Sequence, residues 1–378
     1  MRAQTGLILL PLGLAAALFI AASRFGTENL LLAGLGLALG LALYHGSVSF
    51  TGSYRRFLVR GETSGIEAQI LMLAAASLLF APILAGGSAF GHPVHGAVAP
   101  VGVSMAFGAF LFGIGMQLAG GCGSGTLYTL GGGSSRMLVT LVFFAIGGLW
   151  GSLDLPRWQQ LPEMPGIDFA EQAGTLPALF LQLAFLALLY DLLRRFGRHG
   201  PMVSDGTRPS LLKGPWPLTH AALLLALLNA AILAIDGSPW GITWGLTLAA
   251  AKTAAALGWD PTMSAYWQVP YRVHALEAPL LADSTALMDA AIIIGAMTAS
   301  ILAARFRPAL RLPFRHLLAS VLGGLMLGYG SRLAYGCNIG AFFSGVASMS
   351  LHGWVWIAAA LPGNALGVRL RPLFGLAV

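Results

Sequence analysis

Charge is what this chain has least of. Only 9% of its 378 residues are Asp, Glu, Lys or Arg, against 57% hydrophobic, where soluble domains carry roughly 25% charged residues. So little charge cannot cover a water-facing surface. A mean hydropathy of +0.77 instead points to a bilayer. Cysteine is scarce too. Two cysteines make neither a disulfide framework nor a zinc site. No H-x-x-x-H or C-x-x-C occurs among the eight scattered histidines, so metal ligation has no support, and no cofactor is implied. Gly131-Gly-Gly-Ser-Ser135 lacks the Lys-Ser/Thr ending of a phosphate loop, so no ATPase motif is present. The net charge of +7 would suggest nucleic acid in a soluble protein. Here the basic residues sit in short loops, as membrane topology requires, and no nucleic-acid-binding motif occurs.

What is plentiful is apolar runs of spanning length. They fall at about 5–22, 30–53, 66–86, 98–118, 136–153, 175–193, 216–235, 240–257, 284–304, 315–335 and 352–370. A span needs about 20 residues, so 240–257 is marginal. The start, MRAQTGLILLPLGLAAALFIAAS, resembles a signal peptide with its basic residue, apolar run and small residues. We read it as the first span. Lysine and arginine set orientation. Arg55, Arg56 and Arg60 follow the second run; Arg194, Arg195, Arg198, Arg208 and Lys213 lie in 194–215; Arg305, Arg307, Arg311 and Arg315 lie in 305–315. All three stretches are expected inside. The stretches 154–174 and 258–283 hold one arginine each, Arg157 and Arg272, and are expected outside. The N-terminus then starts in the cytoplasm.

Two glycine-rich pieces, 119–134 and 336–350, are too polar and too loose to cross, and each follows a complete span. Gly113-Ile-Gly-Met-Gln117-Leu-Ala-Gly-Gly121-Cys122-Gly123-Ser-Gly125 aligns without gaps on Gly328-Tyr-Gly-Ser-Arg332-Leu-Ala-Tyr-Gly336-Cys337-Asn338-Ile-Gly340. The single cysteine of each half falls at the same step, 215 residues apart, from 122 to 337. By the expected orientation the two segments enter the membrane from opposite faces, as in an inverted repeat. Two full crossings within 216–257 would spoil that arrangement. One of 216–235 and 240–257 must therefore be a half-span or re-entrant, with Asp236-Gly-Ser-Pro239 as the break. The fold expected is all-α: a polytopic integral membrane protein with inverted-topology repeats, whose re-entrant or broken helices meet near mid-membrane. It forms a single membrane domain over 1–378. Residues 30–153 are the first repeat, 154–215 a connecting segment with one span, and 216–370 the second repeat.

Non-helical backbone at membrane depth is tolerated only inside protein or beside a polar cavity. Glycine allows the turns and close approach this needs. Broken helices at that depth present N–H groups and positive dipole ends to an anion. A thiol between them is polarizable and a weak hydrogen-bond donor, suited to a soft sulfur anion. It is also a nucleophile when its pKa is lowered. The plain alternative is that Cys122 and Cys337 are small core residues. A disulfide between them is a third reading, though a locked pair would block a pore.

Residues 115–128, GMQLAGGCGSGTLY, and Arg332-Leu-Ala-Tyr-Gly-Cys337-Asn-Ile-Gly-Ala resemble the two signature segments of the YeeE/YedE sulfur-transport family. Ser348-Met-Ser-Leu-His-Gly-Trp354 and Pro239-Trp-Gly-Ile-Thr243 are similar to further family stretches, and the likeness covers about residues 30–370. That family contains bacterial thiosulfate importers. The resemblance implies a protein of the bacterial inner membrane, hourglass-shaped, with short helices meeting at mid-membrane. It also implies cysteines on the path that pass thiosulfate along by S–H hydrogen bonding, and a cytoplasmic TusA-like sulfur-carrier protein as partner. One departure stands out. The importers carry a further cysteine in a stretch reading roughly F-C-F-x-G-x-x-R, and this chain has Val48-Ser49-Phe50-Thr51-Gly52-Ser53-Tyr54-Arg55. Serine there still donates a hydrogen bond but is harder and less reactive than a thiol.

The expected substrate path is therefore Cys122, Cys337 and Ser49, with Gly121, Gly123, Gly125, Gly336, Asn338 and Gly340 shaping it. Asn338 either binds substrate or satisfies broken backbone. Arg332, five residues before Cys337, and Lys252, inside the marginal run, are candidates for attracting the anion. Snorkelling at a helix end is the other reading of Arg332. His45 is one helical turn before Ser49 and reads as a packing residue, as do Trp354 and Trp356. Asp191 and Asp289 lie near span ends. Three functions stay open: import of thiosulfate or a related sulfur anion, a membrane sulfurtransferase forming a cysteine persulfide, and import of a selenium compound or sulfide. The enzyme reading needs a base or cation on one thiol, and Cys122 has no charge nearby in sequence.

Overall fold

The computed structural model describes residues 6–200, 210–308 and 312–378. Arg208 and Arg311, counted above for orientation, and residue 5 of the first run lie outside the described residues. In chain order the helices are α1 (Leu9–Ala22), α2 (Thr27–Gly46), α3 (Phe50–Arg60), α4 (Ser64–Gly86), α5 (Val103–Ala119), α6 (Gly123–Gly131), α7 (Ser135–Trp158), α8 (Phe169–Ala173) and α9 (Thr175–Phe196). Then come α10 (Leu218–Asp236), α11 (Thr243–Ala256), α12 (Pro270–Glu277), α13 (Ser284–Leu302) and α14 (Phe314–Leu333). A π-helical turn (Asn338–Phe343), α15 (Ser344–Ala347) and α16 (Leu351–Leu370) complete the chain. Strand is confined to two pairs of two-residue segments among the described residues. Nine helical stretches among those residues are long and apolar enough to cross a membrane. This is an all-α polytopic membrane protein.

Three expected runs differ from the observed elements. The run 30–53 is interrupted where Ser47 turns left-handed at φ 48°, which separates α2 from α3. The run 98–118 turns helical only at Val103. The marginal run 240–257 is the 14-residue α11, about 21 Å long at 1.5 Å per residue, against a hydrocarbon core of roughly 30 Å. Leu218–Asp236 has spanning length, so α11 is the short member of that pair. α16 has the length, at 20 residues, but carries His352, Asn364 and Arg369 and is not among the nine.

Packing is organised by small residues. A Cβ on Gly108 of α5 would lie 2.7 Å from the Gly330 carbonyl oxygen of α14, and one on Gly330 would lie 2.6 Å from the Gly108 oxygen. Further along, a Cβ on Gly115 would lie 2.9 Å from the Gly323 carbonyl oxygen, and one on Gly323 would lie 2.5 Å from the Ala119 nitrogen. Residue 108 thus faces 330 while 115 faces 323, so α5 and α14 run antiparallel. Adding the 215-residue offset turns 108 into 323 and 115 into 330, so the offset exchanges the two contacts. α5 packs alongside α16, and α14 alongside α7; α2 packs on α13, and α10 on α4. Bilayer lipid is as apolar as leucine, so such close backbone approach holds the bundle together through van der Waals contact.

Candidate functional site

The spanning helices end before they reach the cysteines, and they end alike. Gly120 closes α5 in the left-handed region at φ 85°, and Tyr335, 215 residues on, is left-handed at φ 56°. For a tyrosine that conformation costs roughly 1 kcal/mol. The following glycines have no room for a side chain: a Cβ on Gly121 would sit 3.1 Å from the Thr126 nitrogen, and one on Gly336 2.8 Å from the Ala341 nitrogen. Cys122 and Cys337 come next, extended and fully buried.

Each cysteine is the N-cap of the short helix after it. The Gly125 N–H donates to Cys122 Sγ at 3.4 Å, and the Ile339 N–H donates to Cys337 Sγ at 3.4 Å. The sulfurs thus accept from orphan helix N–H groups. Ser124 Oγ lies 3.4 Å from Cys122 Sγ. Both thiols are free, with no disulfide between them. The two caps adjoin, since a Cβ on Gly123 would lie 3.1 Å from Cys337 Sγ and 3.4 Å from Ile242 Cγ2. Ile242 is itself the N-cap of α11, and the neighbouring Gly241 Cα lies 3.8 Å from a Cβ built on Gly340. Gly125 leaves ordinary contact distance, 3.5 Å, to its own cap sulfur.

Ser49 caps the fourth short helix, α3, accepting from the Gly52 N–H at 3.0 Å. The Tyr128 hydroxyl of α6 approaches it, and the Tyr54 phenol of α3 faces Asn338. Among the described residues neither the Tyr54 hydroxyl nor either Asn338 amide atom has a partner at full hydrogen-bond geometry. Four helix N-termini, from α3, α6, α11 and the π-turn, therefore gather around two thiols, a serine, two tyrosines and an unsatisfied amide. Partial positive charge and spare donors concentrate there, which suits a small anion.

Arg332 does not touch the sulfurs. Its Nη2 donates to Thr243 Oγ1 at 2.6 Å and its Nη1 to the Tyr266 hydroxyl at 3.3 Å, while its buried Nε has no partner. In the other half Gln117 reaches the Thr51 carbonyl at 3.2 Å, so both residues steady the first turn of a short helix. Arg332 also lines a cavity of about 330 Å³ with Arg272, Tyr266, Tyr271 and Tyr335. Lys252 belongs elsewhere. Its ammonium donates to the Leu276 and Ala278 carbonyls, about 15 Å along α11 from the cap. At the C-terminal end of α5, Arg371 donates to the Gln117 carbonyl at 2.6 Å and Arg136 to that of Leu118 at 2.5 Å. Arg371, just past α16, is pushed down to about 10, chiefly by burial and in smaller part by Arg55 and Arg136 nearby. His45 packs against Trp216, as expected.

Sequence reasoning missed Tyr54, Thr243, Arg272 and Arg371. The first two lie inside the family-like stretches 48–55 and 239–243 without having been given a role, and the pairing of Gln117 with Arg332 signalled that something would receive them. Arg272 and Arg371 gave no local signal.

The profile described as sulphur transport matches residues 45–366. The probable transporter YedE of Escherichia coli is 28% identical over 167 residues, 43% of this chain and 40% of its own length, and that of Salmonella typhimurium 29% identical over the same extent. The match to these two relatives thus spans less than half their length. The thiosulfate transporter TsuA of Spirochaeta thermophila is 25% identical over 354 residues, 87% of this chain and 95% of its own length. With the profile covering most of its residues, and with broken helices at both cysteines, this chain belongs to the sulphur transport family.

Proposed function

We propose that the protein imports thiosulfate, or a closely related small sulfur anion, across the bacterial inner membrane by a path lined with Cys122, Cys337 and Ser49. The observation that carries this reading is the abutment of the two cysteine caps, with Gly123 against Cys337 Sγ. Each sulfur accepts from its own helix, which leaves its S–H proton free to turn toward a passing anion, away from Ser124 Oγ in the case of Cys122. Gly121, Gly125, Gly336 and Gly340 keep side chains out of the gap. Asn338 offers an unsatisfied amide to the anion, and Arg332 and Arg272 draw it into the outer cavity. Lys252, tied to carbonyls, acts only through the long-range field.

We further read residues 30–153 and 216–370 as inverted halves around the connector 154–215. The antiparallel α5–α14 crossing supports this, because a twofold axis exchanging its contacts is perpendicular to both helices and so lies in the membrane plane. The N-terminus is then cytoplasmic, and a TusA-like carrier would receive the cargo there. The persulfide reading lacks support, since among the described residues no base or cation hydrogen-bonds either thiol. Uptake of labelled thiosulfate by proteoliposomes, with sulfate, sulfide and selenium anions as competitors, tests the substrate. Absence of any thiosulfate entry, or release of chemically altered sulfur, overturns the reading.

A further inference from the structure

Asp289 is the sixth residue of α13 and only 4% exposed. Among the described residues neither of its carboxylate oxygens has a hydrogen-bond partner. Oδ2 is aimed at the first turn of α11, 2.9 Å from where a Cβ on Gly245 would stand. That turn is unusual among the four short helices. Ser49, Cys122 and Cys337 each cap their own helix, whereas Ile242 offers no side-chain acceptor to α11. The N-terminal donors of α11 are left open, with Ile242 packed beside Gly123 and Cys337.

Among the described residues no positive charge pairs with Asp289. From α11, Lys252 is committed to the Leu276 and Ala278 carbonyls. Arg332 of α14 is directed to Thr243 and Tyr266. From α2, Glu28 stands at one end and Tyr44 and His45 at the other; α6 contributes Tyr128, and α1 nothing titratable. Asp283, the α13 cap, is a second acid whose Oδ2 accepts from Trp244 Nε1 at 2.7 Å. An ionised carboxylate so enclosed and unpaired is unfavourable, so Asp289 holds a proton. A protonated carboxyl has a hydroxyl to donate, and the open N-terminus opposite it favours an anion. At the matching sixth step of α4 stands the neutral Gln69, also buried.

Resting on the anion-import reading above, we propose that Asp289 is the proton-carrying group of the transport cycle, donating its hydroxyl to the anion lodged at the α11 N-terminus and taking one proton inward with it. The proton comes from water on the outer side, rides on a carboxyl oxygen and leaves to cytoplasmic water. No bond within the anion changes. For a divalent anion the charge moved falls from two to one.

Proteoliposomes with the membrane potential clamped, labelled thiosulfate outside and a pH dye inside provide the test. In the wild type, making the outside one pH unit more acidic should raise steady accumulation about tenfold, with protons entering alongside thiosulfate. Asp289→Asn, which imitates Gln69, should exchange thiosulfate across the membrane yet ignore the pH gradient. Wild-type uptake that is indifferent to the gradient, or follows sodium instead, overturns the proposal and leaves import standing. No wild-type uptake at all overturns both. An Asp289→Asn variant that responds like the wild type overturns the proposal. Should that variant be inert, infrared difference spectra decide: a protonated-carboxyl band perturbed by thiosulfate and lost in Asp289→Asn supports the proposal, and its persistence overturns it.

Discussion

At the scale of single residues, the two cysteines have a structural and a chemical task, and the tasks separate. As caps they each satisfy one helix N–H, and losing an ordinary cap costs about 1 kcal/mol. That is small beside the packing of a bundle this size, so Cys337→Ala should still insert and fold. Proteoliposome uptake by Cys337→Ala should nonetheless be abolished, and normal uptake would remove the thiol from the path. Ser49→Cys should keep its uptake, because sulfur accepts the Gly52 N–H in the way Cys122 accepts from Gly125. Complete inactivity of that variant would place α3 off the route. Ser49→Ala should lower stability in detergent by about 1 kcal/mol through the lost cap.

At the scale of elements, glycine decides how near two helices come. Gly108 and Gly330 bring α5 and α14 into backbone contact, and a leucine at 330 must displace the Gly108 carbonyl. Overpacking of this kind costs typically 1–3 kcal/mol, so Gly330→Leu should unfold at clearly lower temperature in detergent. Gly13 of α1 has nothing within 4 Å. Gly13→Ala should be neutral or stabilising by up to about 1 kcal/mol, since alanine favours the helix. Equal melting of the two variants would contradict the crossing. Sequence alone carried most of this level. The glycine–cysteine frames announced their breaks because helix formers vanish there, and the 215-residue offset paired them. It could not place the break at Ser47, where no glycine run marks the turn, nor distinguish Asp289 from a span-end acid. Burial and missing partners arise only when α11 and α13 are brought together. Lys252 is a similar case: in sequence it reads only as an intramembrane charge, and its ties to the Leu276 and Ala278 carbonyls appear once the helices are assembled.

At the scale of the whole molecule, everything turns on an odd number of crossings between 194–215 and 258–283. α10 is long and apolar enough to span the membrane. If α11 crossed too, both stretches would face the same side, and the two halves would be threaded in the same sense. Its length forbids this, at about 21 Å against roughly 30 Å. Its N-cap lies deep, against Gly123, while Leu257 just beyond its end is 84% exposed. On the inverted reading proposed above, the chain enters as a loop after Asp236 and α11 returns to the face it left. Loop contacts agree, since the Thr63 N–H donates to the Arg198 carbonyl, and the Trp216 N–H to that of His45, joining stretches expected inside. Met263 and Leu211, 83% and 85% exposed, report on the two faces. With Cys122 and Cys337 buried and silent, a membrane-impermeant maleimide should label Met263→Cys in intact spheroplasts. It should label Leu211→Cys only after the membrane is opened. Labelling of both from outside would make α11 a full span and dissolve the inverted arrangement on which the meeting of the two cysteine caps depends.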